Sequence, residues 1–105
     1  MKGVRQLSIK ERHENLRGGE GVIVTYTNII FLKKRRVKII LMKMSPRATI
    51  GLHEHTEDSE IYMTMNRHVR FGLKKKRFLN FCLKGRTHSA SNQSDYWATV
   101  FAIKF

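Results

Sequence analysis

The sequence predicts an all-β domain, a sandwich or barrel built from short strands. Several runs rich in β-branched and aromatic residues follow one another at close spacing, and most carry period-two patterning. Helical periodicity is confined to one short stretch. The composition, 41% hydrophobic and 28% charged over 105 residues, is that of a globular chain with one core.

In chain order, a single domain (1–105) opens with an N-terminal arm (1–15). Residues 8–16 offer the one helix-like or irregular stretch, ended by Gly18-Gly19. Residues 22–27 read Val-Ile-Val-Thr-Tyr-Thr, a strand composition. A basic break at 33–36 precedes 37–44, apolar nearly throughout. In 60–65, Glu60, Tyr62 and Thr64 share one face and Ile61, Met63 and Met65 the other. Further strands are expected at 69–73, 78–83 and 96–105. The last places Trp97, Thr99, Phe101, Ile103 and Phe105 on one face, against Tyr96, Ala98, Val100, Ala102 and Lys104. Trp97, Phe101 and Phe105 read as core or dimer interface. The only proline is Pro46, and no linker or repeat divides the chain.

Charge is the unusual quantity. Lys and Arg number 21 against 8 Asp and Glu, a net +13. Such a balance attracts polyanions and acidic surfaces. The apolar runs 29–32 and 39–42 are far short of a membrane span, and the first sixteen residues lack a signal-peptide core. A cytoplasmic protein without membrane contact is therefore expected. Cys82 stands alone, which excludes an internal disulfide and a thiolate zinc site; it reads as a buried small hydrophobe. The tetrabasic runs 33–36 and 74–77 suit solvated loops or protected sheet edges. They equally suit phosphate contacts. With no recognition helix, zinc-finger spacing or stacking aromatics, nucleic-acid binding would be weak, non-specific and steeply salt-dependent. A domain of this size that must also protect its sheet edges is expected as a homodimer, its apolar N-terminal strands the candidates for pairing.

The chemistry concentrates in His53-Glu54-His55. Residues i and i+2 of a strand share a face, so both imidazoles can converge on one ion, while Glu54 points away. Glu60 lies five residues beyond His55, on the wrong face of an uninterrupted strand. A turn at 56–59 lets it face inward again, with Glu57 and Asp58 left at the rim. His88 arrives after a Gly85 turn. Three imidazoles and a carboxylate form a nitrogen/oxygen site suited to Mn, Fe, Co, Ni, Cu or Zn. A His-x-His pair alone is expected about 0.2 times by chance in such a chain. Requiring the later Glu and a Gly-x-x-His-x-x-x-Asn run lowers the joint expectation to roughly two in ten thousand shuffled chains. His13 and His68 fit no spacing and read as surface residues. Tyr62, on the Glu60 face, either lines a pocket or fills the barrel.

The segment 46–55 (Pro-Arg-Ala-Thr-Ile-Gly-Leu-His-Glu-His), followed by Glu60-Ile61-Tyr62, resembles the first motif of the cupin superfamily. Gly85-Arg86-Thr87-His88-Ser89-Ala90-Ser91-Asn92 is similar to the second, and 15–21 (Asn-Leu-Arg-Gly-Gly-Glu-Gly) resembles the opening of small single-domain cupins. The resemblance implies a small antiparallel β-barrel, a cupin-like jelly roll, commonly dimeric and holding a divalent metal. Carried over by position, the ligands are His53, His55, Glu60 and His88, and Asn92 is structural. The pattern departs at Arg47, Arg67 and Arg77, where glycine is usual, and at Leu83, where proline is. These departures predict irregular turns, and the short 67–77 segment a hairpin.

The reading that follows is a metal-binding small cupin with a pocket for a small anionic molecule, its reaction unassigned. The competing reading is a basic, non-enzymatic protein that binds nucleic acid or another polyanion and uses the barrel as scaffold. No general base stands out apart from the ligands, and catalytic residues are not assigned.

Overall fold

Strand-forming residues dominate the chain, and no α-helix forms among the described residues. The computed structural model describes residues 5–55, 58–64, 68–72 and 79–105. Nine strands follow in order: β1 (Arg5–Glu14), β2 (Val22–Leu32), β3 (Arg35–Met44), β4 (Thr49–Glu54), β5 (Glu60–Met63), β6 (Val69–Phe71), β7 (Leu79–Cys82), β8 (Thr87–Asn92) and β9 (Ala98–Lys104). They form a six-stranded sheet, β1-β2-β3-β9-β5-β7, and a three-stranded sheet, β4-β8-β6. Every recorded strand pair is antiparallel. One core joins the two sheets: Ile23, Ile40, Met44, Tyr62 and Val100 from the larger, Ile50, Val69 and Ala90 from the smaller. The all-β antiparallel class is as expected, with the barrel realised as two facing sheets. No helix among the described residues is long and apolar enough to cross a membrane.

Most expected strands hold with shifted ends. The N-terminal stretch does not. Residues 8–14 are strand rather than helix-like, because β1 pairs with β2 in unbroken register from Arg5↔Phe31 to Glu14↔Val22. Tertiary pairing overrides a weak local signal there. Only Leu16–Gly18 coils, as a 3-10 turn. The basic break at 33–36 is a tight hairpin, with Arg35 and Arg36 already in β3. The run 74–77 and the hairpin expected at 67–77 lie outside the described residues, apart from 68–72.

Face assignments follow the alternation. Glu60, Tyr62 and Thr64 are buried, as are Ala98, Val100 and Ala102. Trp97, Phe101 and Phe105 lie about half exposed, so they are not core: the small residues of β9 face inward and its aromatics face out. Cys82 is buried as expected.

The turns carry the cost of the departures from the cupin pattern. Arg47 has φ +62°, a left-handed conformation that glycine enters freely and other residues do not. Its guanidinium is tied down by Asp95 Oδ1 at 3.0 Å and the Gln93 carbonyl at 3.2 Å. Leu83 is exposed. Arg67 and Arg77 lie outside the described residues.

Asn92 holds this end of the fold together. Its amide donates to the carbonyls of Met44 (3.3 Å), Ser45 (3.1 Å) and Tyr96 (2.7 Å), and its Oδ1 accepts from the Ser94 hydroxyl at 2.8 Å. The side chain thus links the ends of β3 and β8 to the start of β9, 1% exposed. Removing it strands buried carbonyls, each costing about 1–3 kcal/mol. Asn92→Ala is expected to lower stability by roughly 2–4 kcal/mol in urea titration, whereas Gln93→Ala, at an exposed position, should stay within about 0.5 kcal/mol of the parent.

Candidate metal centre and its cavity

Two glycines set the geometry of the site. A Cβ on Gly51 would lie 1.9 Å from the Arg17 carbonyl oxygen, and one on Gly19 would lie 2.1 Å from that of Thr49. The 3-10 turn therefore rests backbone to backbone on β4. Thr49 N–H donates to the Glu20 carbonyl at 2.8 Å, and Glu20 N–H to the Thr49 hydroxyl at 2.8 Å. Beside this contact the β4–β8 register slips: Ile50 faces Ala90, but His53 faces His88, three residues on one strand against two on the other. This bulge reverses the inward phase of β4. Ile50 is buried, Leu52 is turned out to 71% exposure, and His53 and His55 turn in. Strand periodicity correctly pairs the two histidines on one face; the bulge chooses the inner one.

The three expected histidines meet. His88 Nε2 lies 2.6 Å from His55 Nε2 and 2.9 Å from His53 Nε2, and the three ligand atoms are mutually within 4.8 Å. His53 Nδ1 donates to the Gly51 carbonyl at 2.8 Å, which leaves Nε2 as the lone-pair nitrogen of the neutral ring. Glu60 joins from the opposite sheet. Its Oε1 is 3.3 Å from His55 Nε2 and 3.9 Å from His88 Nε2, and the residue is 3% exposed.

Donors around one ion at bond lengths of about 2.0–2.2 Å stand roughly 3 Å apart, so these residues fit a small divalent cation. Without a cation or shared protons, the converging lone pairs repel.

Burial lowers the pKa of all three histidines. For His53, Arg17 and Lys104 add to the fall and the Gly51 bond opposes it. For His55, Lys104 and His53 add to burial. For His88, burial, His53 and His55 together bring it to about 3. Burial raises Glu60, opposed by Lys104 and by a hydrogen bond from Tyr62.

Several functional positions were not legible as such. Tyr62 meets both of its readings, filling the core at 3% exposure and lining the cavity with Oη 3.2 Å from His55 Nε2 and 2.8 Å from His88 Nε2. His13, expected on the surface, faces the cavity and bonds Thr25 Oγ1 at 3.2 Å, because β1 is a strand with Ile9, Glu11 and His13 on its inner face. His68 is exposed, as expected. Arg17, Lys38 and Lys104 border the triad and were not singled out, although Lys104 shares the inward face of β9. Glu54 is exposed; Asp58 stands beside the mouth, and Glu57 lies outside the described residues.

Behind the triad lies a cavity of about 280 Å³, walled by both sheets. A second, polar space of about 330 Å³ opens in front, and Arg17, Lys38, His53 and Lys104 line both.

No protein-family model and no curated protein matches the chain. Solved structures do. A predicted oxalate decarboxylase from Thermotoga maritima superposes with a TM-score of 0.64 at 23% identity, over 93% of this chain and 92% of that one. A Cupin 2 conserved barrel domain protein from Salinispora arenicola gives 0.54 at 16% identity, over 66% and 62%. This chain has the cupin fold. An oxalate oxidase in complex with the substrate analogue glycolate shares the same cupin architecture at 0.55 and 18% identity, over 65% of this chain and 41% of that one. At these identities the likeness concerns the cupin fold alone.

A histidine whose folded pKa lies below its unfolded value resists the proton that the unfolded chain accepts. Stability is then fully present above about pH 6.5 and falls as pH drops toward the folded pKa, about 3 for His88. Glu60, with a raised pKa, acts oppositely above 4.5, but as one group against three. Metal-free protein is therefore expected to lose stability steadily from pH 7 to pH 5, measured by urea midpoint. His88→Gln should flatten the slope; an unchanged slope would show that the triad does not govern it.

Proposed function

We propose that this cupin binds one divalent transition metal through His53, His55, His88 and Glu60 and presents it to a small anionic molecule. The approach of three imidazole Nε2 atoms, two of the distances 2.6 and 2.9 Å, carries the reading. Glu60 adds a carboxylate from the facing sheet, and four protein donors leave one or two positions of a five- or six-coordinate ion open to the cavity. An ion held there supplies Lewis acidity toward a ligand oxygen. Arg17, Lys38 and Lys104 at the boundary favour an anionic head, and two cupin neighbours are named for oxalate chemistry.

The expected result is one Mn, Fe, Co, Ni, Cu or Zn ion per chain by elemental analysis after dialysis. His53→Ala with His55→Ala should abolish it, and binding should weaken on acidification because each imidazole must be neutral to donate. Unchanged metal content in the double variant sinks the assignment.

We further propose that the partner is a second copy of this chain. Two apolar rows cross four hydrogen-bonded strands on the outer face of the large sheet: Ile39–Ile103–Ile61–Phe81 and Leu41–Phe101–Met63–Leu79. None of the eight is charged in a chain of net +13, and Phe81, Phe101, Ile39 and Leu79 are exposed. With Trp97 and Phe105 at the ends of β9, the patch covers on the order of 500 Å². Two copies face to face bury about 1,000 Å², the lower bound for a specific interface. This surface lies on β3, β9, β5 and β7; the N-terminal strands, where β1 ends the six-stranded sheet and Leu7 and Leu32 are exposed, are the alternative place for the pairing. Light scattering should give a dimer at micromolar concentration, and Phe101→Glu, at an exposed site, a folded monomer. A monomeric parent protein overturns it.

A further inference from the structure

We infer that the cavity takes an organic acid with a branched or aromatic apolar body, larger than a simple diacid such as oxalate. The inference rests on the metal-site reading for the placement of the acid group, and on the cavity itself for the body.

Protein interiors pack to crystal-like density with few voids larger than a water. A space of about 280 Å³ beside the triad is therefore kept open by the sequence. At about 30 Å³ per water it holds roughly nine water-sized groups; oxalate, with six non-hydrogen atoms, would leave a third of it unfilled. Small residues maintain the space: Ala90 and Val100, 5% and 0% exposed, stand where larger side chains would close it. Ile40, Met42, Ile50 and Phe71 complete an apolar wall drawn from both sheets. Water against such a wall makes few hydrogen bonds, and an alkyl or aryl group displaces it at a gain.

The head of the ligand is fixed by charge. Arg17, Lys38 and Lys104 line both the inner cavity and the polar space in front, so they mark its mouth. Two carboxylates, Glu11 and Glu60, line the same cavity, and Glu60 already faces Lys104 at 3.8 Å and His55 at 3.3 Å. Glu54 and Asp58 line the polar space in front, so the two spaces together carry three cations against four carboxylates, and a divalent ion turns that balance to one positive charge. A monoanionic head at the triad with its apolar body pointing inward satisfies both halves. A diacid would have to seat its second carboxylate in a cavity whose wall is mostly apolar, with Glu11, His13, Thr25 and Thr27 its few polar side chains on the β1–β2 side.

The test is calorimetric titration of the Mn(II)-loaded protein and of the chelator-stripped protein with three probes. They are 4-methyl-2-oxopentanoate, oxalate and the uncharged 4-methylpentan-2-one. The branched acid should bind at least about tenfold more tightly than oxalate, a factor of ten being worth roughly two buried methylene groups. It should also bind at least about tenfold more tightly than the ketone, and Lys38→Met should narrow that second gap. Oxalate binding as tightly as the branched acid overturns the apolar body. A ketone binding as tightly overturns the anionic head, and no binding by any probe overturns both. If the protein holds none of Mn, Fe, Co, Ni, Cu or Zn yet prefers the branched acid, the metal reading fails and the cavity inference stands. If it holds one manganese per chain and shows no such preference, the inference fails and the metal reading stands.

Discussion

The backbone contact between the 3-10 turn and β4 is the constraint on which the site depends. Gly19 and Gly51 let two chain segments approach at distances no side chain permits, and the Gly51 carbonyl is left free to accept from His53. The bulge beside that contact turns the histidine pair inward. Had β4 run on without it, Leu52 and Glu54 would face the core and both imidazoles would face water. One inserted residue thus separates an inward-facing histidine cluster from an exposed polar strand. Thr49 and Glu20 lock the same junction with paired hydrogen bonds.

Around that junction the fold supports an arrangement that is costly in itself. Three imidazoles with depressed proton affinity, a carboxylate with 3% exposure and a phenol share one small volume. None gains much from burial, and burial penalises each charge. The compensation lies in the surroundings: unbroken β1–β2 and β2–β3 ladders, the apolar core between the sheets, and Asn92 linking three strands. Stability is therefore carried largely outside the histidine triad and Glu60, while Tyr62 and the cavity walls Ile50, Ala90 and Val100 belong to both core and site.

Much of this was legible in the sequence because strand periodicity is strict. Alternation gave the inward face of β5 and sorted β9 into its two faces, Lys104 falling with Ala102. The ligand pattern named the three histidines that meet and the carboxylate that reaches two of them. What alternation could not show is where its phase breaks, since a bulge has no strong signature apart from a glycine such as Gly51. β1 was misread because its residues 8–14 are charged and polar on one side, and only pairing with β2 makes them strand. The aromatics of β9 were offered as core or interface because hydrophobicity alone does not say which face is inside; the alanines opposite them do. Arg47 in a left-handed turn shows that a missing glycine need not abolish the turn, given an ion pair with Asp95 to hold it.

The four candidate donors divide between the layers. His53 and His88 stand on β4 and β8 and His55 directly follows β4, all on the three-stranded side, while Glu60 opens β5 in the six-stranded sheet. An ion gripped by all four would act as a clasp between two layers otherwise joined by apolar packing, by the Asn92 and Tyr62 hydrogen bonds and by the connecting turns. Occupancy and breathing of the sandwich would then be one variable: opening the layers releases the clasp, and fastening it stills them. A ligand entering between them would meet a doorway whose stiffness is set by the cation it is about to touch.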